Sequence, residues 1–181
     1  MYLQHADPIY TVPHHISRIG VYTAHTFLLS SVVAYKKNMP VMSCMLLGLY
    51  TTSVLHWRRI KHHGWIRNLD MFMVATTITR MTLVDSYRLQ SRWIWLSAIT
   101  TGIVAFYTNA KLKYNQIDKY NNSIIAYSKD TVHGLFSMAY TNPNTLEREM
   151  AYYRNVIIHC IFQHIIPNIA AIYASCTGLK N

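Results

Sequence analysis

Charge is scarce in this chain, and acidic charge scarcest of all. Asp, Glu, Lys and Arg make up 13% of the 181 residues, about half the share of an ordinary soluble domain. Only 7 are acidic against 17 basic, for a net charge of +10. Cysteine is rare as well: Cys44, Cys160 and Cys176 lie scattered in apolar stretches. An odd number without ligand spacing excludes a disulfide framework and a cysteine-built zinc site. The three read as buried small hydrophobes. No basic run is long enough for a nucleic-acid arm, so nucleic acid is not an expected partner. The positive balance suits anionic lipid headgroups instead. Internal repeats and low-complexity tracts are missing. Residues 1–18 lack a compact apolar core, so they read as an N-terminal extension and not as a signal peptide.

What is there is long uncharged sequence, with hydrophobic residues at 51%. Five apolar stretches are long enough, or nearly so, to cross a bilayer: Ile19–Tyr35, Val41–Trp57, Leu69–Val84, Trp93–Ala110 and Val156–Ser175. The fourth has Trp93 at its start and Lys111 and Lys113 at its end, the interfacial residues that spanning helices favour. Mean hydropathy is only +0.09, so it is the distribution that carries this reading. The expected fold is all-α, a single domain over residues 1–181 forming a polytopic helical membrane bundle. Residues 111–154 form a polar segment. Within it, Ser123–Tyr140 reads as an amphipathic helix lying on the membrane surface, with a sixth span as the alternative.

Five spans place eleven Lys/Arg on the side of the N-terminus and five on the other. The positive-inside rule then puts the N-terminus in the cytosol. The expected location is an integral membrane one.

The stretch Thr51–Met71 holds most of the chemistry. A helix is predicted to end near Trp57, a basic turn to follow, and a new helix to begin near Asn68 with Asp70 at its opening. Ser53 and His56 are three apart and share a helix face. His159 enters the last span from the same side, so His56, Asp70 and His159 are expected at one depth. Ionisable groups inside membrane helices usually face the bundle interior. Neutral imidazole is the commonest metal ligand in proteins, and zinc takes three or four N or O donors. A carboxylate beside such an ion would orient a water whose pKa the metal lowers. The structural alternative is that Ser53, His56 and Asp70 bond one another and cap helix ends, with Asp70 favoured near a helix N-terminus by the macrodipole.

The string Ser53-Val-Leu-His56, the basic linker, and Arg67-Asn-Leu-Asp70 resemble a signature of a membrane hydrolase superfamily of the CREST type. It groups alkaline ceramidases, progestin/adiponectin-type receptors and haemolysin-III-like proteins. Those carry a Ser and a His late in the second helix, an Asp early in the third and an H-x-x-x-H pair in the last. The resemblance implies a zinc-dependent hydrolase of a lipid amide or related bond. Ser53 and Asp70 would take the catalytic positions, and His56, His159 and His164 would be the Zn2+ ligands. The family has seven helices, against five or six here. The second histidine of the pair is one residue late, with Gln163 in its register. On a regular helix His159 and His164 point about 140° apart, at 100° per residue. They would share a metal only across a π-bulge or with help from a kink at Pro167.

Other ionisable residues have simpler readings. His25 lies mid-span; with His159 or His164 it would supply a b-type haem pair, but an interior hydrogen-bonded role is favoured. Arg80 and Asp85 are five apart, poorly spaced to pair within an α-helix. Arg80 needs a partner or a snorkelling route, and a structural ion pair is favoured over an ion path. His14, His15, His62 and His63 read as solvated or headgroup-facing. The nine Met and 14 Tyr read as packing and interfacial groups. The residues alone favour a small basic membrane protein with a structural or accessory role in a membrane assembly, among the other membrane subunits of an organellar complex or as a membrane component of a virus. The zinc hydrolase is the runner-up and a haem-binding redox subunit a third reading.

Overall fold

The computed structural model describes residues 12–58, 60, 65–120 and 145–177. Among these the chain forms five helical rods and no strand. The first is α1 (His14–Lys36) and the second α2 (Pro40–Arg58). The third runs through α3 (Trp65–Arg80), a π-helical turn π1 (Met81–Asp85) and α4 (Ser86–Arg88). The fourth is α5 (Arg92–Tyr120). The last comprises α6 (Thr145–His159), a second π turn π2 (Cys160–Ile165) and α7 (Ile166–Thr177). The expected surface helix Ser123–Tyr140 lies outside the described residues.

Local chemistry explains the first corner. Asn38 takes the left-handed conformation at φ 58°, which Asn tolerates better than most residues. Its N–H donates to the Tyr35 carbonyl, and that of Met39 to the Ala34 carbonyl, each at 3.0 Å. These bonds satisfy carbonyls that the end of α1 leaves without helical partners. Pro40 then starts α2, where its missing N–H costs nothing. The hairpin packs α1 along α2, with Ala24, Phe27 and Ala34 facing Met42, Leu46 and Leu49 in the larger apolar core. A smaller core gathers Ile16, Trp57, Tyr152, Val156 and Cys160 at the other end.

Polar side chains lie inside and many large apolar ones outside. Ser17, Ser30, Ser53, Asp70, Thr77, His164 and Asn168 are buried. Leu29, Phe72, Leu83, Ile103, Val104 and Ile169 are exposed. One stretch of the described residues, Tyr152–Thr177, is long and apolar enough to cross a membrane by length and composition.

Several expectations need correction. The third rod begins at Trp65, so Asp70 lies well inside its helix and not at its opening. The fourth rod continues past Ala110 to Tyr120. Cys44 and Cys176 are exposed, and only Cys160 is buried. Arg80 and Asp85 do pair, Nε to Oδ2 at 3.4 Å. The π turn between them explains it: its backbone bonds span five residues, so i and i+5 come to one face.

Candidate functional site

The site begins at the π2 turn. Pro167 has no N–H to offer the Gln163 carbonyl, and its ring crowds that carbonyl in a regular helix. The chain responds by widening over Cys160–Ile165. Side chains take up the loosened polar groups. The His164 carbonyl accepts from Asn168 Nδ2 at 2.6 Å and from Thr26 Oγ1 at 3.3 Å. Gln163 Nε2 donates to the Gly102 carbonyl on α5 at 2.7 Å. Gly102 is needed there, because a Cβ would stand 2.8 Å from the Phe162 carbonyl oxygen.

Widening brings His159 and His164 to the same face. Their ring centroids are 5.1 Å apart with planes at 82°. Trp57 packs beside both, at 5.0 Å from His159 and 5.8 Å from His164. The indole is almost wholly buried at 1% exposure, and it reaches this position over Gly20. A Cβ on Gly20 would lie 2.0 Å from the Trp57 ring, so only glycine permits the approach. Phe27 meets the His164 ring from another side at 5.1 Å. His164 Nδ1 is hydrogen-bonded to Thr23 Oγ1 at 2.8 Å.

Asp70 lines the same cavity as the histidine pair. Thr52 and Ser53 both donate to its Oδ1, at 2.9 and 2.8 Å, and neither bond uses Oδ2. A buried carboxylate is otherwise costly, and these two hydroxyls offset part of that cost. The cap expected of Asp70 is thus replaced by an interhelical bond between α2 and α3. His56 lies one turn beyond Ser53, within electrostatic reach of His159 and His164. Arg67 stands near enough to act on His56. Burial lowers the pKa of its guanidinium from the ordinary arginine value.

Ser53, His56, Asp70, His159 and His164 all line one cavity of about 420 Å³, with Arg67 also in its wall. Much of the remaining wall is apolar, including Leu49, Met81, Ile99 and Phe106. His25 is not in that wall. It is exposed, with its ring against Tyr50 at 5.4 Å.

The donor types in the cavity suit zinc. Imidazole nitrogens at about 2.0–2.1 Å from a tetrahedral ion hold two ring centroids about 5 Å apart, the spacing seen for His159 and His164. Among the described residues, however, no three or more His, Cys, Asp or Glu side chains stand ready to hold an ion. Holding one therefore requires side-chain movement within the cavity.

The chain matches no protein family, no curated protein and no solved structure. Site residues the sequence did not single out are Thr23, Thr52 and Trp57. Thr52 sits in the run Thr51-Thr52-Ser53, where a neighbouring hydroxyl was visible. Thr23 and Trp57 carry no local signal, because their contacts come from helices distant in sequence.

Proposed function

We propose that the protein is a membrane-embedded, zinc-dependent hydrolase acting on an amide or related bond of a lipid. The observation that carries this reading is the meeting of His159 and His164 across the π2 turn, in the cavity that His56, Ser53 and Asp70 also line. The late second histidine was the chief departure from the superfamily that the Ser53–His56 and Asp70 strings resemble. A π turn supplies the missing register. The large apolar side chains exposed on the rods and the polar ones buried between them also support an integral, multi-pass arrangement, since polar groups in lipid turn towards one another. In that arrangement the basic residues contact anionic headgroups.

In this reading His56, His159 and His164 hold the ion. When bound, it supplies Lewis acidity and makes water a nucleophile near neutral pH. Asp70 takes and returns a proton at Oδ2, while Thr52 and Ser53 hold its Oδ1 in place. A carboxylate fixed at one oxygen keeps the other aimed, which is the orientation that general acid–base work requires. The apolar wall binds the hydrocarbon of the substrate and excludes bulk water from the polar end. The chain's own residues thus bind, orient and shuttle a proton.

Metal analysis of detergent-purified protein tests the reading. Stoichiometric zinc is expected in the wild type, loss of zinc in His56→Ala, and retained zinc with lost lipid hydrolysis in Asp70→Asn. A structural or accessory subunit gives the opposite pattern: no metal in the wild type, and changes only in stability or assembly. That result overturns the proposal.

A further inference from the structure

We propose that Thr23 is a positioning residue that sets the tautomer of His164, and through it the ring nitrogen that His164 offers to a cation. This role rests on the zinc reading of the histidine cluster. Thr23 lies on α1, away from every motif that pointed to the site. Its Oγ1 is 2.8 Å from His164 Nδ1, 3.0 Å from the Ile19 carbonyl oxygen and 3.2 Å from that of Gly20. The Cys160 thiol reaches the same hydroxyl.

A threonine hydroxyl has one proton to give and two lone pairs to receive with. Carbonyl oxygens only accept. Two carbonyls of the preceding turn stand within bonding distance, so the Thr23 proton goes to that turn, the usual habit of a helical hydroxyl. Oγ1 then meets His164 as an acceptor, and Nδ1 carries the ring proton. In a neutral imidazole the other nitrogen, Nε2, must be the bare one.

Thr23 is the hydrogen-bond partner seen for the ring, and two of its other neighbours cannot compete for the proton. The faces and edges around His164 belong to Phe27, Trp57 and His159. Phe27 and Trp57 restrict the tilt of the ring and offer it no acceptor: an indole N–H only donates, and a phenyl ring has neither. His164 is 3% exposed, so bulk water does not set its protonation pattern. Metal-binding histidines are commonly held in this way, by a partner on the nitrogen that does not bind. Thr23 acts through His164 and touches no reacting atom.

The test uses the full chain in detergent, labelled with 15N-histidine and free of metal, at a pH where the rings are neutral. Nitrogen shifts distinguish a protonated from a bare ring nitrogen, and His164→Gln assigns the signal. The wild type is expected to show Nδ1–H and bare Nε2. Thr23→Val removes the acceptor at nearly constant volume and should shift His164 towards Nε2–H. Thr23→Ser should restore the wild-type pattern. Zinc affinity, read by competition with a chelating dye, should fall about 10–100-fold in Thr23→Val and recover in Thr23→Ser.

A wild-type ring protonated on Nε2 overturns the proposal, as does a Thr23→Val tautomer identical to the wild type. If the wild type binds no zinc, the hydrolase reading fails while the nitrogen shifts still decide the role of Thr23. Should Thr23→Val not fold, the wild-type and Thr23→Ser shifts decide: Nδ1–H in both supports the role of Thr23, and Nε2–H in either overturns it.

Discussion

His159 and His164 are five residues apart in the chain, and their rings meet at 5.1 Å. On an α-helix those side chains diverge by about 140°. A second pair in the same molecule repeats the relationship. Arg80 and Asp85 are also five apart and reach 3.4 Å across the other π turn. In both rods a widened turn converts a spacing that α geometry scatters into one that converges. Such turns occur often at functional sites. The first joins two imidazoles and the second joins opposite charges.

The π2 turn makes the order of residues in the last rod decisive. Exchanging the neighbours by Gln163→His with His164→Gln restores the sequence spacing of a regular helical pair. It also removes the Gln163 bond to the Gly102 carbonyl. The exchange should abolish zinc binding as fully as His164→Gln alone, measured by metal content. Pro167→Ala returns an N–H to the ladder and should favour regular helix, with reduced zinc content at unchanged far-UV circular dichroism. Full zinc binding by the exchanged protein would show that the π register does not form the site.

Gly20 allows Trp57 to lie against the histidines. Gly20→Ala places a methyl where the indole already stands. Overpacking of this kind typically costs about 1–3 kcal/mol. Thermal unfolding in detergent should show the loss. In a Trp57→Leu background the same substitution should cost much less, because the two changes share one contact. Equal costs in both backgrounds would separate Gly20 from Trp57.

Arg80 and Asp85 form an ion pair that is partly exposed at the arginine, with side-chain exposures of 36% and 9%. Exposure of the arginine weakens the pair relative to a fully buried one. Asp85→Asn should therefore destabilise the protein by roughly 1–2 kcal/mol, between the exposed and buried extremes. Denaturant unfolding with Arg80→Met, alone and combined, measures the coupling. Additive losses would mean that the pair adds nothing beyond its two side chains.

Topology is open to direct labelling. Cys44 and Cys176 are first replaced by Ser, since both are exposed. Single cysteines are then placed at Lys37, Arg58 and Arg88, all exposed positions near helix ends. In sealed vesicles an impermeant maleimide should label the first and third from one side and the second from the other. Labelling of Lys37→Cys and Arg58→Cys from the same side would remove the crossing of α2.

The helical character of the chain was legible in its sequence, because uncharged apolar runs separated by basic and Pro- or Asn-containing breaks admit little else. The boundary between the second and third apolar stretches was legible too. Ser53 and His56 share a face by spacing alone, and both line the cavity with Asp70. A bond between Ser53 and Asp70 was among the readings, and it forms; the helix cap does not, because α3 starts earlier, and Thr52 joins Ser53 on the carboxylate. What only the tertiary structure decided is the register of the last rod and the company His164 keeps. Local propensity assigns 3.6 residues to every turn. Departing from it leaves backbone groups that need other partners, and these come from Thr26 on another helix and from Asn168 one turn ahead. A π-bulge and a kink at Pro167 were the two ways the histidine pair could meet, but spacing alone did not choose either over a regular helix. Thr23, Trp57 and Gly20 act on the site through packing between α1, α2 and the last rod. Contacts of that kind depend on how helices lie together, which no spacing within a single helix encodes.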